Sequence, residues 1–146
     1  MITWRRRRGG EGGSAAIEAA IGVPAFALFV ALIIFGGRTA LAHSAVESAA
    51  AEAARTASIA RTATQARAGA QAAARGSLAN QEIRCVSVTV SIDVSDFAKP
   101  VGQPGAVAAT VQCRLDLADL SVPGIPGSRL ITATSTSPID SWRERR

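Results

Sequence analysis

From Ala19 to Gly37 the chain reads AAIGVPAFALFVALIIFGG, without one charged side chain. At ~1.5 Å per residue a helix over this run covers roughly 28 Å, close to the ~30 Å hydrocarbon core of a bilayer. A surface helix of a soluble domain keeps a polar face, and this run has none. It therefore predicts a single transmembrane helix. Arg5, Arg6, Arg7 and Arg8 stand just before the run, whereas Arg38 is the one nearby cation after it. That imbalance predicts a cytoplasmic N-terminus, with everything beyond Arg38 outside.

Composition narrows the class. The 146 residues are 48% apolar, but much of that fraction is Ala, and aromatic residues make up 4%. Such a chain supports one small domain and lacks the large side chains of a sizeable enzyme core. The formal charge of +5 is concentrated in the arginine run before Gly13. With no second basic cluster and no aromatic platform beside it, the run reads as a topogenic signal, and no nucleic-acid partner is expected.

The acid at the mouth of the apolar run decides among three kinds of N-terminal signal. A general secretory signal would be cut after a small-x-small triplet, which Ala40-Leu41-Ala42 offers. A twin-arginine signal would carry a polar-apolar pattern after the arginines, where Gly9, Gly10 and Glu11 stand instead. Neither explains Glu18. A carboxylate at the edge of hydrocarbon is costly unless it is paired. It also suits the N-terminal end of a helix dipole, so capping remains open beside an assembly role.

The segment Gly13-Ser14-Ala15-Ala16-Ile17-Glu18 resembles a type IV prepilin processing site, in which a basic leader ends in Gly and Glu is fifth in the mature chain. The resemblance implies a membrane-embedded prepilin peptidase cutting the Gly13–Ser14 bond. The new α-amino group at Ser14 would then lie one turn from Glu18, on the same subunit or a neighbour, and could neutralise it. More specifically, Gly13 to Arg55 resembles the TadE-like family: Ala16-Ile17-Glu18, the apolar span, the exit at Gly36-Gly37, and an Ala-rich continuation to Glu52-Ala53-Ala54-Arg55. The position after the Glu, often aromatic in such pseudopilins, is Ala19. Membership implies a pseudopilin-like assembly protein of the tight-adherence (Tad, Flp-type) pilus and secretion machinery. Its partners would be membrane lipid, the prepilin peptidase, and other pilin or Tad secretion-system subunits. The alternatives are a secreted β-rich protein cut near Ala42 and a single-pass envelope protein of unrelated role.

Between Thr39 and Ser77 the chain is Ala-rich, without Pro, and carries Glu47 and Glu52 early and Arg55, Arg61, Arg67 and Arg75 late. Propensity and charge order predict one long helix continuing out of the membrane. Leu41, Val46 and Ile59 are its larger apolar side chains, so its methyl face could pack on neighbouring helices or on its own outer domain. Pro24 and Gly36-Gly37 are expected weak points, and Gly69 and Gly76 mark fraying toward the next domain. His43 is the sole histidine, with no ligand or triad partner near it in sequence.

Beyond Asn80 the period becomes two. Val86, Val88, Val90, Ile92 and Val94 alternate with Ser87, Thr89, Ser91 and Asp93; Val107, Ala109, Val111, Cys113, Leu115 and Leu117 form a second apolar face. The Lys99-to-Gly105 turn joins them into an antiparallel hairpin, and a weaker strand near Leu130–Ser135 completes a meander. The predicted fold is an α+β membrane protein in the manner of pilins: leader 1–13, transmembrane helix 14–37, Ala-rich outer helix 38–78, β-rich domain 79–137 and tail 138–146.

Cys85 and Cys113 would lie outside, where a disulfide persists and would strengthen a small core. Strand parity opposes it: Cys113 falls on the apolar face and Cys85 on the Ser/Thr side. A bulge near Arg84–Val86, or a strand start after Cys85, would repair this; free thiols or an intermolecular bond are the alternatives. In the tail, Trp142 is expected to dock on the domain, the alternative being contact with a partner or the membrane interface. No Gly-rich phosphate loop, nucleophile elbow or catalytic carboxylate pair occurs, so no catalytic residue, metal, cofactor or small-molecule substrate is expected.

Overall fold

Helix α1 runs unbroken from Gly12 to Ser58, 47 residues and about 70 Å at the usual rise. The computed structural model describes residues 12–120, 124 and 126–142. The arginines Arg5, Arg6, Arg7 and Arg8 and the tail residues Arg143, Glu144, Arg145 and Arg146 lie outside that range. After α1 come α2 (Ala63–Asn80) and three strands, β1 (Cys85–Asp93), β2 (Gly105–Asp116) and β3 (Ser128–Ile139), with short 3₁₀ turns at Ser95–Ala98 and Ala118–Leu120. The strands form one antiparallel sheet in the order β1-β2-β3. The predicted α+β architecture, a long apolar helix followed by a small antiparallel sheet, is the one observed.

Two expectations for the Ala-rich region are corrected. The single outer helix is broken: α1 stops at Ser58, and α2 starts afresh at Ala63 and folds back along α1. At the new start Thr62 takes extended backbone angles, and its hydroxyl accepts a 3.1 Å hydrogen bond from the Gln65 N–H, satisfying one of the helix's unpaired donors. The Ser58 hydroxyl donates to the Arg55 carbonyl at 2.9 Å and accepts from Ser137 of β3 at 3.0 Å. By contrast, helix continues through Pro24 and Gly36-Gly37. Gly69 and Gly76 lie inside α2, and a Cβ on Gly69 would stand 3.3 Å from the Thr56 methyl. Gly69 thus marks close approach of the two helices.

The core between hairpin and sheet is made largely of methyl groups. Ala42, Ala45, Val46, Ala49, Ala50, Ala53, Ala54 and Ala57 are buried along α1, at the three-and-four spacing of one helical face. Ala66, Ala70, Ala74 and Leu78 repeat every fourth residue on α2. The sheet contributes Val107, Ala109, Val111, Cys113 and Leu115 from β2, with Ile131 and Ile139 from β3. Val46, Val107, Val111 and Cys113 are the largest side chains buried completely. Small side chains let backbones approach closely, but each removes little apolar area from water.

Strand pairing resolves the cysteine parity. Val88, Val90 and Ile92 pair with Cys113, Val111 and Ala109, which aligns the apolar faces. Between Cys85 and Ser87 the register slips: Ser87 pairs with Arg114 while Cys85 pairs with Leu115, leaving Val86 as the extra residue. The bulge turns Val86 out, 63% exposed, and moves Cys85 onto the inner face beside Cys113. Cys85 and Cys113 are joined by a disulfide with Cα atoms 5.5 Å apart.

Helix α2 ends in a paired turn. Glu82 N–H donates to Ala79 and Ile83 N–H to Leu78, with Glu82 at φ 55°, the left-handed position usually given to Gly. Leu78 and Ile83 both join the core, so the turn delivers the chain from helix to sheet with its apolar contacts intact.

Candidate functional site

The first functional region is the N-terminal half of α1. Gly13 and Ser14 lie in its first turn and Glu18 one turn further, so positions 14 and 18 share one face of the helix. Glu18 is exposed, and among the described residues it forms no ion pair. Beyond it Ile17, Ile21, Phe26, Phe29, Leu32 and Ile33 are all more than half exposed, and no residue from Ala15 to Leu41 is buried. A soluble chain does not leave so long an apolar surface uncovered. This segment is long and apolar enough to cross a membrane.

The second region is the junction where the apolar shaft meets the outer domain. Arg38 reaches from α1 to Asp119 in the 3₁₀ turn after β2, with N···O 2.7 Å. The hydrogen bond from Arg38, reinforced by its charge, holds the Asp119 carboxyl below its ordinary value. A cleft of about 670 Å³ opens beside this bridge, lined by Leu41, Glu82, Ile83, Arg84, Asp116 and others. Its charged side chains are of both signs, and among the described residues no nucleophile stands beside a base in it. Among the described residues no three His, Cys, Asp or Glu side chains gather as metal ligands would.

At the opposite end of the domain, the Asp93 carboxylate accepts the Ser95 N–H at 3.0 Å, which holds its pKa below the ordinary value. Asp96 accepts the Ala106 N–H at 2.9 Å and the Lys99 ammonium at 2.8 Å. These bonds shape the β1–β2 connection. His43 lies 3.3 Å from Glu47 one turn on, both well exposed on α1. Trp142 does not dock on the domain: it is 84% exposed, with its backbone N–H bonded to Asp140. The residue before it, Ser141, accepts the Gly102 N–H at 2.7 Å, so the end of β3 is fastened by main chain and the indole is left outside.

Sequence reasoning did not find the Arg38–Asp119 bridge, because 81 residues separate the partners. The turn signals around Pro123, Gly124, Pro126 and Gly127 placed a loop there, but no local pattern says which cation an acid before that loop will meet.

These features define a class: one uncovered apolar helix, continuous with a small disulfide-linked domain that is itself built against the helix's other half. Within that class, residues 13–55 match the family model for TadE-like protein. The match covers α1 from the Gly13-Ser14 motif to Arg55 and leaves α2 and the sheet outside it. Over this stretch the chain is similar to TadE-like protein. No curated protein and no solved structure matches the chain.

Proposed function

We propose that this chain is a non-enzymatic, single-span subunit of a tight-adherence (Flp-type) pilus or secretion assembly. It is anchored by α1 with its N-terminus cytoplasmic, and it acts by packing that helix against lipid and other pilin-like subunits. The observation that carries the reading is α1 itself. Its TadE-like segment is uncovered where it is most apolar and then continues, without a break, into the domain it supports. A helix so built passes axial position from the membrane to the outer domain.

In this reading Glu18 is the register point. A prepilin peptidase cuts Gly13–Ser14, and the amine released at Ser14 neutralises Glu18 within the subunit or across to a neighbour. The bond lies in the first helical turn, where backbone N–H groups have no intrahelical acceptor and the end frays most readily. The competing secretory cut after Ala42 would sever α1 within the segment that matches the TadE-like model and discard its apolar half.

The test is the intact mass of the membrane-fraction protein together with complementation by Glu18→Ala. A chain starting at Ser14, with Glu18→Ala abolishing pilus assembly while the protein still accumulates, is the expected result. A chain starting at His43 in the medium refutes the anchored reading, and full assembly by Glu18→Ala refutes the role of the acid.

A further inference from the structure

The near end of the sheet carries three arginines that the assembly reading does not use. Strand register collects them: Leu115 pairs with Arg129 and Arg114 with Leu130, while Arg84 precedes the bulge and its carbonyl accepts the Asp116 N–H at 3.0 Å. All three arginines are exposed, and beside them Val86 and Leu130 are 63% and 51% exposed. The acids of this rim are Glu82 and Asp116, with Asp119 already held by Arg38. At the far end the sheet and its connections present Asp93, Asp96 and Asp140 with Lys99.

The height of this rim follows from α1. The uncharged run ends at Gly37, Arg38 binds Asp119, and Ala42 is the first fully buried residue. At ~1.5 Å per residue, less than about 8 Å of helix separates the end of the run from the start of the domain. The polar layer on each side of a bilayer is of the same order, about 5–7 Å. From Arg38 to Ser58 the helix rises roughly 30 Å, and from Ser128 to Ser137 β3 rises about the same. The bonds Arg38–Asp119 and Ser58–Ser137 fasten the two ends. The sheet therefore stands alongside the outer half of α1, with its Ser128 end toward the membrane.

We propose that this near rim rests in the phospholipid headgroup layer, with Arg84, Arg114 and Arg129 contacting lipid phosphate and Val86 and Leu130 entering the interface. The proposal rests on the spanning reading of α1. Guanidinium groups bind phosphate through paired N–H donors, and their apolar stems lie along the interface while the charge stays wet. Because phosphate is the recognised group, zwitterionic lipid suffices. The rim thus adds an off-axis support to the single helix and limits rotation of the outer domain about it.

The full chain is reconstituted in two sets of phosphatidylcholine vesicles, brominated near the top of the acyl chain to read Leu130→Trp and Trp142 and near its methyl end to read Phe26→Trp. Indole quenching is compared at single reporters: Leu130→Trp, native Trp142 and Phe26→Trp, the remaining tryptophans being replaced by Phe. Strong quenching for Phe26→Trp, and at least threefold more for Leu130→Trp than for Trp142, is expected. If Leu130→Trp is quenched no more than Trp142 while Phe26→Trp is quenched, the span stands and the rim contact is overturned. An unquenched Phe26→Trp removes the span and the rim contact together. Combining Arg84→Gln, Arg114→Gln and Arg129→Gln should at least halve quenching for Leu130→Trp. Unchanged quenching in that variant overturns the phosphate contact and leaves a protein partner as the occupant of the arginines.

Discussion

The two halves of α1 solve opposite problems with one continuous helix. From Ala15 to Leu41 the helix carries Ile, Phe, Leu and Val on every side and none is buried; from Ala42 to Ala57 its inner face is nearly all Ala and fully buried. Bulk is placed where the protein supplies no cover of its own and methyl groups where it does. In lipid, large side chains fill the surroundings without constraint on shape. Against α2 and the sheet, only methyl-sized groups permit the approach seen at Thr56 and Gly69. Hydrophobicity alone therefore does not say which apolar face a protein will bury; side-chain size does so here.

The largest effect should separate the halves completely. The disulfide closes a loop between residues 28 apart in sequence, and loop entropy assigns such a link about 3–4 kcal/mol. In a domain whose core is mostly Ala that is a large share of net stability. Cys85→Ser with Cys113→Ser should lower the melting temperature of the outer domain steeply while leaving the helix signal of the N-terminal half in detergent. Coincident loss of both signals would show the halves to be one cooperative unit.

Next in size is a charge in the shaft. Leu28 lies midway along the uncharged run, and Leu28→Arg should cost about 3 kcal/mol in membrane insertion. The fraction resisting carbonate extraction should fall while the melting of folded outer domain stays where it was. Undiminished membrane retention would mean that the run is covered by protein and not by lipid.

Side-chain size is probed by the same substitution on either side of the boundary. Ala49→Leu forces extra carbons into a fully packed contact and should destabilise the outer domain by about 1–3 kcal/mol. Ala20→Leu, on the uncovered half, should leave that stability within about 0.5 kcal/mol. Equal penalties would erase the distinction drawn between the halves.

How much of this was legible beforehand follows the same division. The uncharged run and the strand alternation are signals of composition and period, and both gave elements where they stand. Even the disulfide was legible as a conflict: the parity of Cys85 required a bulge, and the bulge lies at Val86. The helical hairpin was not foreseen, because Ala propensity runs straight through the break. A signal was present in Thr62-Ala63-Thr64-Gln65, the capping-box pattern, but it was outweighed by a charge order that suits one helix as well as two. The exposed indole of Trp142 follows from a different cause. Asp140 and Ser141 hold the main chain at the end of β3, so that the side chain need not pack to fix the tail.

The smallest expected effect lies at the boundary itself. Asp119 is exposed, so its bond to Arg38 is weakened by solvent and contributes little to global stability, yet it joins the shaft to the sheet. Its carboxyl is held below the ordinary 3.8 by the Arg38 hydrogen bond. A group whose folded pKa is depressed stabilises above its unfolded pKa, and that contribution is lost as pH falls through the folded value. Outer-domain stability should therefore decline as pH drops below about 4, with Asp93 contributing in the same direction through its bond to Ser95. Asp119→Asn should remove one component of that decline and leave the Asp93 component. A full acid response in Asp119→Asn would mean that Arg38 does not couple the helix exit to the sheet in solution. A reduced response, matched by an equally small loss of stability at neutral pH, would mark the bridge as a device of orientation: it sets where the domain stands over the shaft without deciding whether the domain folds.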